Sequence, residues 1–139
     1  MTEDEMRERV GPARVARLAS VRPDGTPHLV PICFALVADG TRIVSAVDDK
    51  PKSSPALQRL TNIRANPAVT LLVDHYEEDW ARVWWVRVDG RARVVEDGPE
   101  RDETGAALRA KYEQYERIGL SSAALVIDVE RWRGWAYSD

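Results

Sequence analysis

The stretch from residue 50 to residue 67 carries basic side chains and no acidic ones, in a chain of 139 residues with a formal net charge of -3. Its basic residues are Lys50, Lys52, Arg59 and Arg64. Ser54 followed by Pro55 predicts a helix start, because serine is a favoured N-cap and proline fits the first helical position. The free N–H groups at a helix start favour a phosphate or carboxylate. The pattern predicts a site for a small anion; a solvated surface, or pairing with the acidic loop at residues 74–79, is the alternative.

Few other residues could act as nucleophile, metal ligand or proton donor. Cys33 is the only cysteine, which excludes an intramolecular disulfide and a multi-thiolate zinc site, and its apolar run predicts a small core residue. With only His28 and His75 as histidines, we expect no metal centre. His28 follows a turn signal, so it is either an exposed side chain or a hydrogen-bond partner for a ligand. No catalytic residue is identified from residue type alone.

Composition limits the class of protein. Hydrophobic residues make up 44% and charged residues 31% of the chain, as in ordinary folded proteins, and the length fits one domain spanning residues 1–139. The sequence pI near 5.5 argues against nucleic-acid binding, which needs a broad basic face. No apolar run approaches the roughly 20 residues of a membrane span, and the first residues are acidic where a secretory signal would be basic. We therefore expect a cytoplasmic protein with no nucleic-acid or membrane partner.

Hydrophobic periodicity predicts a mainly β, α+β fold with six strands and two to three short helices. The predicted strands are residues 14–21, 27–37, 42–47, 69–73, 83–95 and 124–129. The predicted helices are residues 2–10, a segment from the Ser54 start to the Asn66-Pro67 stop, and residues 100–117. Residues 27–37 are nearly all apolar, which indicates burial on both faces. The turn signals favour an antiparallel sheet that closes into a small barrel to avoid bare edges.

Five tryptophans are many for this length. Trp84 shares the parity of Val86 and Val88, which predicts a core position. The other four are candidates for an aromatic wall or a dimer contact, because tryptophan is enriched where a flat ring or a partner is met. They are Trp80, Trp85, Trp132 and Trp135.

Several segments between residues 14 and 137 together resemble a known family. They are RLASV at residues 17–21, DGTPHLVP at 24–31, KPK at 50–52, NIRANP at 62–67, VDHY at 73–76 and WWVRVDG at 84–90. Their order resembles the split β-barrel family that binds flavins and deazaflavins and is related to pyridoxamine-phosphate oxidase. The KPK form, with the acidic loop before Trp80, is most similar to the probable coenzyme F-420-dependent branch of actinobacteria.

The resemblance implies an antiparallel split β-barrel of the FMN-binding type and a homodimer with two cofactor sites at the subunit interface. It places His28 and Pro31 beside the cofactor ring. It implies backbone contacts from Ala46, Val47 and Asp48, and phosphate contacts from Lys50, Lys52, Arg59 and Asn62. Trp80 and Trp85 would come from the partner subunit. The turn after Val47 is longer than in simpler relatives, so either Lys52 or Arg59 could bind the phosphate.

The activity implied is an oxidoreductase that transfers a hydride between reduced coenzyme F-420 and a small conjugated organic substrate. A proton could come from solvent, Tyr76 or Tyr137. One alternative keeps the fold with FMN as cofactor, as an oxidase or reductase. The other is a non-catalytic dimer that binds or carries a cofactor. The phosphodiester and oligoglutamate tail of the deazaflavin suits several cations along a groove better than the single phosphate of FMN does.

Overall fold

The computed structural model describes residues 1–48 and 56–138. Within them, seven strands form one antiparallel sheet in the order β2-β1-β5-β6-β7-β4-β3. The strands are β1 (Ala16–Val21), β2 (Pro27–Ile32), β3 (Ala35–Val37), β4 (Arg42–Asp48), β5 (Ala68–His75), β6 (Trp84–Val95) and β7 (Leu120–Ala136). Three α-helices accompany them, namely α1 (Glu3–Val10), α2 (Ala56–Ala65) and α3 (Gly98–Lys111).

The prediction of six strands is wrong because residues 27–37 form two strands, β2 and β3, at opposite edges of the sheet. Between them, the backbone of Phe34 bonds to a side chain instead of a neighbouring strand. The Tyr112 hydroxyl accepts from the Phe34 N–H at 3.1 Å and donates to its carbonyl at 3.1 Å. The predicted two-sided burial is also wrong for β2, where exposed and more buried residues alternate.

The last strand is longer than predicted, since β7 begins at Leu120, continues past residue 129 to Ala136, and pairs with β6 from Ala124 to Ala136. The register shifts between Asp89 and Gly90, which leaves Glu130 as an extra residue in β7. A Cβ at Gly90 would lie 2.5 Å from the carbonyl oxygen of Asp128. Gly90 therefore allows a close approach of the neighbouring backbone, one of the two uses of a glycine within a strand.

The helix starts follow the sequence signals where the structure describes them. Thr2 caps α1, its Oγ1 accepting from the Glu5 N–H at 3.1 Å. The predicted start at Ser54 and Pro55 lies outside the described residues. The third helix ends earlier than predicted, at Lys111, and a short 3-10 segment at Glu113–Glu116 follows it. None of the described helices is long and apolar enough to cross a membrane.

Strand alternation gives the sheet an inner face and an outer face over β2, β1, β5 and β6. Inner residues such as Leu18, Leu71 and Val86 are buried in the larger core cluster. Trp84 packs against that cluster as a partly buried side chain, as its parity predicts. Outer residues such as Leu29 and Leu72 stay exposed. The inner face contributes to the core, while the outer face carries apolar side chains that stay exposed among the described residues.

Candidate functional site

A buried polar cluster lies where the end of β1 meets the start of β2, beneath α2. Ser20 pairs with His28 across the two strands, and both lie on the inner face. The Asn62 side-chain amide, fully buried on α2, donates to Ser20 Oγ at 3.0 Å. Gln58, one turn earlier, donates to Asn62 Oδ1 at 2.7 Å. These bonds fix α2 against the strand that presents His28.

Positive charge surrounds His28. Desolvation lowers the pKa of its imidazole, and the positive charges of Arg22 and Arg59 lower that pKa further. Near neutral pH the ring is therefore uncharged, with one nitrogen as donor and the other as acceptor. Its Nδ1 is shielded from solvent and has no hydrogen-bond partner within the described part of the chain. A buried polar atom without a partner is costly in a finished protein, so this nitrogen points to a ligand group.

The β1–β2 hairpin holds Arg22 beside this histidine. The Arg22 guanidinium donates to the Pro27 carbonyl at 2.6 Å and to Thr26 Oγ1 at 3.4 Å. Gly25, with φ of 89°, allows the tight turn. We name the cluster the His28 corner, and it consists of Ser20, Arg22, His28, Gln58, Arg59 and Asn62.

Three predicted site residues, namely His28, Arg59 and Asn62, therefore meet in this corner. Sequence reasoning missed the other three. Ser20 could have been found as a polar residue on the inward parity of β1, and Arg22 as the residue that opens the hairpin turn. Gln58 stands four residues before Asn62, the spacing of neighbours on one helix face.

The remaining predicted cofactor residues lie in several places. Ala46 and Val47 are buried near the C-terminal end of β4, and Asp48 is the last residue of that strand. Pro31 is exposed on the outward parity of β2. Lys50 and Lys52 lie outside the described residues, so the structure does not assign the phosphate to either of them.

Trp80 and Trp85 lie far from His28 within the protomer. Ala19 pairs with Thr70 near the His28 end, whereas the other end of β5, His75, pairs with Trp84. Five residues of strand, roughly 17 Å, separate Thr70 from His75. Within the protomer, these tryptophans are therefore not part of the cluster around His28.

At that far end, aromatic side chains surround an apolar cavity of about 160 Å³. We name it the aromatic pocket, and it is lined by Tyr76, Trp80, Val83, Trp135 and Tyr137. Trp85 lies next to it, paired across the strands with Trp135. Trp80 begins a 3-10 turn, Trp80–Arg82, that is capped by Asp79, whose carboxylate accepts from the Ala81 N–H at 3.2 Å.

The His28 corner fits an anionic cofactor with polar ring atoms. Two arginines offer donors to a phosphate, and the neutral imidazole offers one further bond to a ring oxygen or nitrogen. Among residues 1–48 and 56–138, no cluster of three or more histidine, cysteine or carboxylate side chains could hold a metal ion. The described chemistry is that of binding and orientation.

The seven-stranded antiparallel sheet, with α2 over the His28 corner, agrees with the split-barrel class that the family match below defines. Residues 2–136 match the family model described as pyridoxamine 5'-phosphate oxidase, and the chain belongs to that family. No curated protein matches the chain.

Solved structures share the fold at low sequence identity. The conserved hypothetical protein Rv2991 of Mycobacterium tuberculosis is 22% identical with a TM-score of 0.76, over 98% of this chain and 85% of that one. A FAD-binding protein of Mesorhizobium loti is 23% identical with a TM-score of 0.69, over 96% and 92%. A heme-binding protein of Mycobacterium smegmatis is 20% identical with a TM-score of 0.71, over 91% of this chain and 51% of that one.

Proposed function

We propose that this chain is a coenzyme F-420-dependent oxidoreductase that transfers a hydride between the reduced deazaflavin and a small conjugated organic substrate. The observation that carries the proposal is the solvent-shielded Nδ1 of His28, without a partner in the described residues, next to Arg22 and Arg59. In the sequence, Lys50 and Lys52 stand between β4 and α2, a few residues before the helix that covers this corner.

The charge count favours the deazaflavin over FMN, as the sequence alone predicts, but through a different set of cations. Arg64 donates to Glu96 at 2.7 Å, so its charge is already compensated. Arg22, which sequence reasoning missed, lies beside His28 and replaces Arg64 in the count of cations at the corner. Together with Lys50, Lys52 and Arg59 it still gives four cations, more than the single phosphate of FMN needs. FMN remains the second candidate, since the family is flavin-binding and one structural relative is named as FAD-binding.

A homodimer would complete the site. The outer face of the sheet exposes Leu29 at 66% and Leu72 at 37%, and Trp135 on the same face at 44%. Exposed apolar side chains on one sheet face suit burial against a second copy. In such a dimer the partner would supply Trp80 and Trp85 to cover the cofactor ring, which these residues cannot do within their own protomer.

The bound deazaflavin would supply the hydride chemistry itself. The tasks of this chain are then binding, orientation and exclusion of water. Arg22 and Arg59 would hold the anionic tail, and uncharged His28 would hydrogen bond to the ring without adding a charge beside it. Tyr76 is one candidate proton donor to the substrate, because its side chain is exposed and its hydroxyl makes only long bonds, donating to Glu78 at 3.4 Å and accepting from Trp80 Nε1 at 3.4 Å. Tyr137 is the other.

Titration of the cofactor-free protein with coenzyme F-420 and with FMN, followed by tryptophan quenching, tests the proposal. We expect the deazaflavin to bind more tightly, and tight FMN binding with none for F-420 would overturn it. Two arginines on the same helix provide a matched pair of variants. Arg59→Ala should weaken F-420 binding at least about tenfold, in line with a charge-assisted hydrogen bond, whereas Arg64→Ala should leave it within about twofold.

Two further measurements separate the alternatives. Oxidation of reduced F-420 with enone and quinone acceptors distinguishes a reductase from a non-catalytic carrier, a possibility raised by the relative named as heme-binding. Light scattering of wild type and Leu72→Lys tests the dimer, because a charge on the outer face should disrupt a face-to-face contact. A monomeric wild-type protein would remove the partner's tryptophans from the proposed site.

A further inference from the structure

The amino group of Lys111, the last residue of α3, is enclosed by aromatic rings. Its Nζ lies 3.8 Å from the ring centre of Phe34 and 5.3 Å from that of Tyr112. This nitrogen is shielded from solvent, and among residues 1–48 and 56–138 it has no hydrogen-bond partner. A lysine ammonium carries three donors and is strongly hydrated in water, so the enclosure disfavours its charged form. The proposed function makes no use of this amine.

Arg14 brings a second positive charge to the same place. Its guanidinium carbon lies 4.5 Å from the centre of the Tyr112 ring, and its Nη1 donates to the Lys111 carbonyl at 3.1 Å. Within the part of the chain that the structure describes, no carboxylate forms an ion pair with Arg14 or Lys111. Two cations therefore share one aromatic ring without an anion between them.

The ordinary structural role of a lysine at a helix end is filled by Arg14. A lysine in a last helical turn usually stabilises the free carbonyls there, but it is the Arg14 guanidinium that bonds to the carbonyl of Lys111. The Tyr112 hydroxyl lies 2.9 Å from the Arg14 carbonyl and 3.1 Å from the Phe34 carbonyl, which holds the three segments together. The charge of Lys111 thus serves neither an ion pair nor the helix end.

The surroundings favour a neutral amine at Lys111. Desolvation, followed by the positive charge of Arg14, lowers the pKa of Lys111 to about 8, while the Cys33 thiol acts in the opposite direction. A lysine in water has a pKa of about 10.4. Neutral amine is the nucleophilic form, and desolvation and a neighbouring cation are two ways in which proteins activate a lysine.

We propose that Lys111 is a modification site at which carbon dioxide forms a carbamate. The lone pair of the amine attacks the carbon atom, the N–C bond forms as one C=O π pair moves to oxygen, and the nitrogen releases one proton to solvent. Carbon dioxide is small and apolar, so it can reach a nitrogen enclosed by rings. The product is an anion beside Arg14, which turns a repulsion into an attraction. A protonated imine, formed with an aldehyde, would keep the repulsion.

The experiment uses the full-length protein without cofactor at pH 8, near the pKa of Lys111, in bicarbonate labelled with carbon-13. NMR detects the carbamate, and alkylation with triethyloxonium followed by peptide mass spectrometry locates it. The other two lysines, Lys50 and Lys52, are internal comparisons, and the N-terminal amine is read on its own peptide. Lys111 should carry at least about tenfold more adduct than either, because a lysine of ordinary pKa is below about 1% neutral at this pH. At fixed dissolved carbon dioxide, the initial rate should be half-maximal near pH 8.

Two arginines near the start of β1 provide a matched pair of variants. Arg14→Gln removes the cation that favours both the neutral amine and the anionic product, so it should lower the Lys111 adduct at least about fivefold. Arg17 pairs with Asp74 at 3.4 Å, and Arg17→Gln should leave the adduct within about twofold. Lys111→Arg should remove the NMR signal assigned to this site.

Absence of a carbamate on Lys111 in the wild-type protein, or equal labelling of the three lysines, would overturn the proposal. Reaction of Lys111 with propanal, trapped by cyanoborohydride, in place of carbon dioxide would reassign it as an imine-forming residue. An unchanged adduct in Arg14→Gln would contradict the electrostatic argument and with it the choice of an anionic product. None of these measurements requires F-420, so the proposed function and this site can fail independently.

Discussion

Replacing Asn62 by alanine should destabilise the fold through a calculable set of lost contacts. Asn62 is fully buried and makes two side-chain bonds, one to Ser20 at 3.0 Å and one from Gln58 at 2.7 Å. Each such bond contributes about 1 kcal/mol net, and a buried hydroxyl deprived of its partner costs about 1–3 kcal/mol. Gln58 can turn toward water, whereas buried Ser20 cannot. We therefore expect a loss of about 2–4 kcal/mol in the free energy of unfolding.

Urea unfolding followed by tryptophan fluorescence measures this loss. For a slope of roughly 2 kcal/mol per molar urea, the midpoint should fall by about 1–2 M. Asn66→Ala is the matched control on the same chain segment, because its side chain makes an exposed bond with the Ala68 N–H at 3.1 Å. That control should lose less than about 1 kcal/mol.

A double-mutant cycle with Ser20→Ala tests the assigned partner directly. Asn62→Ala removes the donor to the Ser20 hydroxyl, and Ser20→Ala removes the acceptor of the Asn62 N–H. Because both substitutions break the same bond, their effects should not add. The coupling energy should be about 1–2 kcal/mol. Additive effects, or an Asn62→Ala loss no larger than that of Asn66→Ala, would refute the view that this amide fixes α2 to β1 and thereby shapes the His28 corner.

Three more outcomes follow from other contacts. The pKa of His28 is lowered in the folded state, so the unfolded chain binds more protons at mildly acidic pH. The free energy of unfolding should therefore fall as the pH drops through about 6.5. In urea titrations between about pH 7.5 and 5, the His28→Gln variant should show a smaller fall than wild type. The Gly90→Ala substitution should lower the free energy of unfolding by about 2–4 kcal/mol, because the added Cβ would lie 2.5 Å from the backbone oxygen of Asp128. Thermal unfolding measures this loss, and a loss below about 1 kcal/mol would contradict the close approach. Arg93 bonds to both Glu100 and Asp128 and lowers the pKa of each carboxyl, so Arg93→Met should cost about 1 kcal/mol near neutral pH. That cost should fade below about pH 4 as the carboxylates protonate, and a constant difference across pH would contradict the pairing.

The strands could be predicted wherever the pattern along the chain is local. Alternation located most strand cores, and the Thr2 cap and the Gly90 bend are readable because one or two neighbouring residues determine them. The break between β2 and β3 is different. It depends on Tyr112, 78 residues away, whose hydroxyl satisfies the Phe34 backbone. An apolar run such as residues 27–37 contains no local signal for such a distant partner.

The candidate site divides in the same way. The nearness of Arg22 to His28 follows from a hairpin turn and is in principle readable from sequence. The bond between Asn62 and Ser20 joins residues 42 apart, and the pairing of Arg64 with Glu96 joins residues 32 apart. Both depend on how α2 lies on the sheet. Counting basic residues between 50 and 67 therefore includes Arg64, which pairs with Glu96, and leaves out Arg22, which lies beside His28.

The two ends of β5 differ in charge, and this limits how a dimer could be built. The His28 corner is cationic at one end, and three acidic residues, Glu77, Glu78 and Asp79, follow β5 at the other. Two copies that pack their outer faces about a two-fold axis along the strands would place like ends together. An axis across the strands would instead place each cationic corner against the partner's acidic, aromatic end, which is electrostatically favourable. Only this second arrangement would bring the end of the partner's sheet that carries Trp80 and Trp85 toward the end that carries Arg22 and Arg59. The proposed cofactor site therefore requires a two-fold axis across the strands.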